Sequence, residues 1–533
     1  MTATALARAV VQRLIDVGVR EIVIAPGSRN APLTFAAFDA ATAGLLRLHT
    51  RLDERSAGFL ALGLTREHSR AAVICTSGTA VANLHPAALE AAHAGVSVVF
   101  VTADRPARLR GTSANQTTEQ PAIFGPLVPW HDLADLDDVA HLGGPTISTA
   151  EGPTHLNVQL DDPLMPEGTS PWTPSAPPHS RRPERLVTAT PLPLGPRTVV
   201  VAGDDAGPQA RRIAETGGWP LLAEPSSGSR TGPALRTYRL LLGTDLGRQI
   251  ERVVVAGRPT LSRPVARLLA REDVEVIALP GPGAAARRPF PVAASVEDVV
   301  VPSLDAANAP WLESWRTADR DLARRIDAVL SAEPDLTPYE VAGAVSRALP
   351  PEGLLVLGPS SPIRDLDLMA APYPVGQRRK VIANRGLSGI DGVVSTAIGA
   401  ALGRRDSSRA IALMGDVTFL HDANGLLLGP GQPEPDLTIV VVNDDGGSIF
   451  AMLEQGASEH ADRFEALFAA PHGVDLAGLC AASRTPHWRV ESLAELEQAL
   501  ATPNGGIDVV EVRVRRDNRR DLDERLRALA LGG

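Results

Sequence analysis

The chain has 533 residues, 44% hydrophobic and 21% charged, with a net charge of −10. That length exceeds a single core and points to about three domains, while the acidic balance excludes a general nucleic-acid binder, which needs a basic face. No apolar run approaches the roughly 20 residues that span a bilayer, and two cysteines, Cys75 and Cys480, cannot make a disulfide framework.

The first segment, MTATALARAVVQRLIDVGV, spaces its charges through an amphipathic helix and does not read as a signal peptide, so a cytoplasmic protein is expected. REIVIAPGSRN and AAVICTSGTA then read as apolar strands running into Gly/Ser loops. Between them HTRLDERSAGFLALG sets Glu54 between two apolar patterns. A helical stretch, AVANLHPAALEAAHAG, and a further strand, VSVVFVTADRP, complete a block predicted over 1–165. Nine prolines mark a linker over 166–196. A second block, 197–332, has strands at RTVVVAG, RVVVAG and VEVIALPG and ends in the helical ESWRTADRDLARRIDAVL. A third, 333–533, opens on TPYEVAGAVSRALP and carries strands at GLLVLGPSS, AIALMGD, LTIVVVND and DVVEVRV. Strands alternating with helices imply α/β blocks with doubly wound parallel sheets. Lys380, the only lysine, sits in QRRKVIAN, which excludes a Walker-type phosphate loop.

Chemistry concentrates in the third block. One apolar strand ends in Gly415-Asp416, with Thr418 at the start of the next helix; another ends in Asn443, Asp444, Asp445, Gly446 and Gly447. Each alone is an ordinary turn. One strand–helix–strand crossover apart, in a parallel sheet, they bring two carboxylates to one edge. Two hard oxygens and a carbonyl from the glycine turn suit Mg²⁺, which also takes phosphate oxygens.

This pairing resembles the thiamine-diphosphate motif, in which a GD element and an N[ND]-x-G element bind a divalent cation and the diphosphate. The resemblance implies the thiamine-diphosphate-binding fold, with a pyrimidine-binding, a central and a diphosphate-binding domain. It makes Asp416, Asp444 and the Gly446 carbonyl ligands of Mg²⁺ or Mn²⁺, and Gly415, Thr418 and Asn443 cofactor contacts. The family usually has Asn where Asp444 stands; the added charge is expected to keep the cation bound while weakening diphosphate affinity. A carboxylic acid against the aminopyrimidine ring is also implied, and Glu54 matches it; the plain alternative is a helix-start charge paired with Arg51 or Arg55. Ser77, in TSGTAVANL, belongs to the second loop expected at the cofactor.

APGSRNAPLT, LDERSAGFLALG, TSGTAVANLHPAALEA, TADRPARLRGTSANQTTEQ and NRGLSGIDGVVSTAIG together resemble the 2-succinyl-5-enolpyruvyl-6-hydroxy-3-cyclohexene-1-carboxylate synthase family of menaquinone biosynthesis. The likeness spans both outer blocks and is poor in the middle one. It implies a transferase that decarboxylates 2-oxoglutarate on the cofactor and adds the resulting succinyl carbanion to isochorismate, as a homodimer or dimer of dimers. Both substrates are polyanions, for which planar guanidinium forks are natural clamps. Matched motif by motif, Ser28, Arg29, Arg105 and Gln116 line the acceptor site, and Ser360, Arg364 and Arg385 add carboxylate contacts. Ile390 is the wedge that bends the cofactor, Ile449, Phe450 and Leu453 form an apolar wall, and Arg263 is a central-block contact. Ion pairs are the plain alternative for each arginine. Two other functions stay open: a thiamine-dependent carboligase of the acetohydroxyacid-synthase type, and a non-catalytic binding subunit on the same fold.

Overall fold

The computed structural model describes residues 2–67, 69–142, 152–166, 171–176, 188–193, 195–283, 287–301, 309–404, 406–502 and 505–531. Most of the Pro-rich linker expected over 166–196 lies outside them.

Three main sheets form, and every pairing between their strands is parallel. The first is built from β1 (Glu21–Ile24), β2 (Arg47–Thr50), β3 (Ala71–Cys75), β4 (Val99–Asp104), β5 (Trp130–Leu133) and β6 (Thr154–Gln159), in the order 2-1-3-4-6-5. A short strand β7 (Ala189–Pro191) pairs with β13 (Asp298–Val300). The second sheet orders β12 (Ala294–Ser295), β11 (Glu275–Ala278), β10 (Arg252–Ala256), β8 (Thr198–Ala202) and β9 (Leu221–Ala223). The third holds β14 (Leu354–Leu357), β15 (Lys380–Ala383), β16 (Ala410–Gly415), β17 (Leu437–Asn443), β18 (His487–Val490) and β19 (Ile507–Arg513), and repeats the order of the first. The central strands are Val/Ile/Leu runs buried along their whole length, as parallel strands covered on both faces must be.

Two compact units result, and they do not follow the block boundaries expected at 165, 197 and 332. Residues 384–406 and 420–435 belong with 1–183, while the second and third sheets share the other unit. The cause is a close helix crossing. Helix Val393–Gly403 lies against helix Glu54–Arg66, where a Cβ on Gly63 would stand 2.2 Å from the Thr396 carbonyl oxygen and one on Gly399 2.2 Å from that of Leu60. Glycines at both contact points let the two backbones touch. Cys75 and Cys480 are buried free thiols, and no helix among the described residues is long and apolar enough to cross a membrane.

Candidate active site

In a 2-1-3-4 sheet the connections change direction between the first and third strands, and the loops at those strands' carboxyl ends frame a crevice. In the first sheet they are the loops after β1, APGSRN, and after β3, TSGT. Arg105, just past β4, donates from Nη1 to Ser77 Oγ and to the Gln116 carbonyl, both at 2.9 Å, and Ser77 Oγ donates to that carbonyl at 3.0 Å. Gln116 holds a left-handed φ of 51°, and Gln120, a residue sequence reasoning passed over, fixes the loop by accepting the Gly78 N–H at 2.9 Å. Arg29 donates to the Leu160 carbonyl at 3.0 Å and stands 3.8 Å from Asp162. Burial, then the charge of Arg29, pulls the Arg105 pKa below its usual value. Two mutually repelling guanidiniums at one edge favour an anionic occupant. The structure therefore brings Arg29, Ser77, Arg105 and Gln116 together, with Ser28 exposed beside them.

Glu54 starts its helix directly after Asp53, whose carboxylate caps the Arg55 and Ser56 N–H groups. Neither arginine of the plain alternative pairs with it: Arg51 donates to the Thr50 carbonyl, and Arg55 to the His421 carbonyl and ring. Its contact is instead Asn83 Nδ2, at 3.4 Å, from the helix after the Ser77 loop. Asp422, also unforeseen, accepts from Ser56 Oγ at 3.0 Å and from the Ser395 N–H at 2.7 Å, tying the Glu54 helix to the one after Ile390. Arg385 is buried and Ile390 half-buried in the same unit.

At the third sheet, Gly415 faces Val442 in register, so Asp416 and Asp444 leave neighbouring strands at one edge. Asp416 is buried and Asp444 half-buried. Asp416 Oδ1 accepts the Val417 N–H at 2.7 Å; its Oδ2 accepts the Gly446 N–H at 2.9 Å and His472 Nε2–H at 3.1 Å. The Val474 N–H donates to His472 Nδ1 at 3.0 Å, which fixes the ring proton on Nε2. Burial raises the Asp416 pKa; burial and then the Asp416 charge push Asp444 up to about 7. Asp444 Oδ1 is buried without a hydrogen-bond partner. A repelling carboxylate pair with an orphaned oxygen fits a divalent cation, and a set this small leaves ligand positions for phosphate oxygens. A Cβ on Gly415 would meet only the Val442 carbonyl oxygen, at 4.0 Å, so room remains beside the pair. Among the described residues no cluster of three or more His, Cys, Asp or Glu side chains makes a self-sufficient metal site.

The turn carrying Asp444 is held from several sides. Asn443 gives its amide to Glu511 at 2.8 Å and accepts the Asp445 N–H at 3.0 Å, so its side chain shapes the turn. Asp445 takes a left-handed φ of 58°, and Arg516 donates to the carbonyls of Asp444 and Asp445. A Cβ on Gly446 would stand 2.2 Å from the Ala469 carbonyl oxygen, which makes glycine obligatory there. Thr418 is buried in the helix that starts at Asp416. His472 and Arg516 were not foreseen; a lone His in APHGVD and an Arg among many give no pattern.

Ser360, with a left-handed φ of 70°, follows β14, and its carbonyl accepts from Arg364 at 2.6 Å. Arg263, Arg364, Ile449 and Leu453 line one cavity of about 990 Å³, with Arg519 at its wall. Arg263 is largely exposed and pairs with Glu454 at 3.0 Å, the ion pair that the plain alternative named. Phe450 packs on Phe468, 5.9 Å between ring centres, and does not line that cavity.

Residues 4–123 match the family described as thiamine pyrophosphate enzyme, N-terminal TPP binding domain, and residues 366–512 its C-terminal TPP binding domain. The chain is 66% identical to a 2-succinyl-5-enolpyruvyl-6-hydroxy-3-cyclohexene-1-carboxylate synthase from Nocardioides sp., over 99% of this chain and 98% of that one. It is 44% identical to the Kineococcus radiotolerans enzyme of the same name, over 98% of each. Benzoylformate decarboxylase from Polynucleobacter necessarius superposes with a TM-score of 0.65 over 97% of this chain and 99% of that one, a likeness of fold at 18% identity.

Proposed function

Since the chain belongs to the 2-succinyl-5-enolpyruvyl-6-hydroxy-3-cyclohexene-1-carboxylate synthase family of thiamine pyrophosphate enzymes, we propose that it joins isochorismate to the four-carbon unit left when 2-oxoglutarate loses CO₂, in menaquinone biosynthesis. The observation that carries the reading is the pairing of buried Asp416 with half-buried Asp444 on neighbouring strand ends, with a buried, orphaned oxygen on Asp444. Thiamine diphosphate, when bound, supplies the electron sink that decarboxylation needs. Asp416, Asp444 and the Gly446 carbonyl would hold Mg²⁺ or Mn²⁺, which would neutralise the diphosphate charge, with Gly415 and Thr418 beside them. Glu54 holds a proton at the pyrimidine ring nitrogen. Arg29, Arg105 and Arg385, with Ser28, Gln116, Ser360 and Arg364, orient the carboxylates of two polyanionic substrates. Ile390, Ile449, Phe450 and Leu453 supply the apolar surface that keeps water from the reacting carbon, and Arg263 is a further candidate contact from the central block.

In this reading 1–165, 197–332 and 333–533 are the pyrimidine-binding, central and diphosphate-binding domains of a cytoplasmic enzyme. Glu54 and Asp416 belong to different compact units, and the family's pattern has two chains share each cofactor, so the active species is a homodimer or a dimer of dimers. A fully active monomer in light scattering would rule that out. The function is tested by donor choice. With isochorismate as acceptor, 2-oxoglutarate should be consumed and pyruvate, which lacks the distal carboxylate, should be a poor donor. Preference for pyruvate, with isochorismate unused, would make the enzyme an acetohydroxyacid-synthase-like carboligase.

A further inference from the structure

One buried carboxylate in the first unit is aimed at a loop. Glu90, on helix His85–Ala94, is 3% exposed. Its Oε1 accepts the Gly386 N–H and its Oε2 the Leu387 N–H, each at 2.7 Å. These are the two amides that follow Arg385, and Ile390 comes three residues later. Gly386 has no alternative at this contact: a Cβ there would lie 2.5 Å from the Glu90 carbonyl oxygen and 2.8 Å from its carboxyl group.

Beyond the buried Arg385 and Gly386 the loop is only partly packed. Leu387 is 53% exposed, and Glu90, Asn384, Leu387, Gly389 and Asp391 line a cavity of about 480 Å³. Ser388 sits at a left-handed φ of 61°, a conformation that persists only where the surroundings impose it. Further along, the Ser395 N–H is taken by buried Asp422 at 2.7 Å. The segment is thus held by carboxylates at both ends, with Leu387 exposed and residues 388–391 half-buried between them. Hydrogen bonds to an ionised acceptor are about twice as strong as neutral ones, so this pin is stiff for its size.

We propose that Glu90 is the positioning residue for the 385–390 loop: it fixes the backbone from which Arg385 and Ile390 project, without itself touching substrate or cofactor. The proposal deepens the functional reading and rests on Arg385 as a carboxylate clamp. Glu90→Gln preserves volume but offers one acceptor oxygen to two N–H groups. Hydrogen exchange over residues 384–392 should speed about tenfold or more while other segments keep their protection. KM for whichever substrate Arg385→Lys weakens should rise roughly ten- to a hundredfold, with thiamine-diphosphate affinity in calorimetry unchanged. In the double variant, Glu90→Gln should add little to Arg385→Lys, because both act on one contact. Should Glu90→Gln not fold, Gly386→Ala, which drives a Cβ into Glu90 from the loop side, must give the same exchange and KM changes. Unchanged exchange would overturn the pin whatever the substrates are. Faster exchange with unchanged KM, or full additivity with Arg385→Lys, in an enzyme whose wild type turns over 2-oxoglutarate and isochorismate, would overturn the positioning role. A wild type that does not use that pair would instead remove the functional reading, and the exchange result would still decide the pin.

Discussion

Glu54 and His155 show how a neighbourhood decides what one ionisable side chain does. Glu54 is half-buried at a helix start, touched by Asn83 and passed over by both nearby arginines. Glu54→Gln keeps its size and hydrogen bonding but cannot hold the proton. Turnover should fall 10²–10⁴-fold, roughly 3–5 kcal/mol, with cofactor binding little changed; wild-type turnover would leave Glu54 a plain helix-start charge. His155 lies in the interior of the first sheet. The Thr102 hydroxyl donates to Asn157 Oδ1 at 3.0 Å, so at 2.7 Å it accepts from His155 Nε2–H. Nδ1 is left bare and without a partner. Burial lowers its pKa from 6.5 to about 4. Below pH 6.5 the unfolded chain takes up a proton that the folded chain refuses until about pH 4. Stability is therefore lost as pH falls through that window, by about 3 kcal/mol from this group. Acid unfolding of His155→Gln should show a correspondingly shallower slope between pH 6.5 and 4; an unchanged slope would mean that His155 titrates normally. Sequence gave no access to either result. It named Glu54 by motif, but not which neighbours it lacks, and His155 in GPTHLNVQL carries no signal at all.

Elements were legible where hydrophobicity is continuous. All the apolar runs read as strands are strands, because a parallel strand covered on both faces must be apolar throughout. The strands that escaped are short or polar: β2 (RLHT), β5 (WHDL), β9 (LLA), β12 (AS), β15 (KVIA) and β18 (HWRV) are sheet edges, β7 (ATP) and β13 (DVV) pair with each other, and β6 buries a His and an Asn inside the sheet. Edge strands need less apolar surface, and buried polar residues are explained only by partners that sequence does not show. The crossing of helices Glu54–Arg66 and Val393–Gly403 was equally hidden, since it joins residues more than 300 positions apart and depends on glycines that look like composition. Gly63→Ala tests it. In an isolated helix Ala is favoured by about 1 kcal/mol, but here the Cβ would meet backbone at 2.2 Å. Forced overpacking of this kind costs about 1–3 kcal/mol. The variant should melt several degrees lower and lose turnover as the Glu54 helix shifts; a higher melting temperature would show that the contact yields.

At the scale of the molecule one opening, 2-1-3-4, is used in all three main sheets. The second sheet, read from β9, runs 2-1-3-4-5, and both outer sheets begin the same way. Most of the site candidates follow the carboxyl ends of strands in the outer two, at and beside their switch points. The switch point of the second sheet is closed on itself. Asp204 and Arg258 exchange backbone hydrogen bonds at 2.9 Å across it, and a Cβ on Gly203 would stand 2.0 Å from the Pro259 nitrogen. That closure explains why the central block offered sequence reasoning no motif beyond Arg263, itself tied up with Glu454. The central claim belongs to the third sheet, where Asp416 and Asp444 are read as the grip on metal and diphosphate. Titration calorimetry of thiamine diphosphate with Mg²⁺ into wild type and Asp416→Ala tests it most directly. Saturable tight binding is expected for the wild type and its loss in the variant, with the variant's melting curve still cooperative. Equal affinity in the two proteins would contradict it.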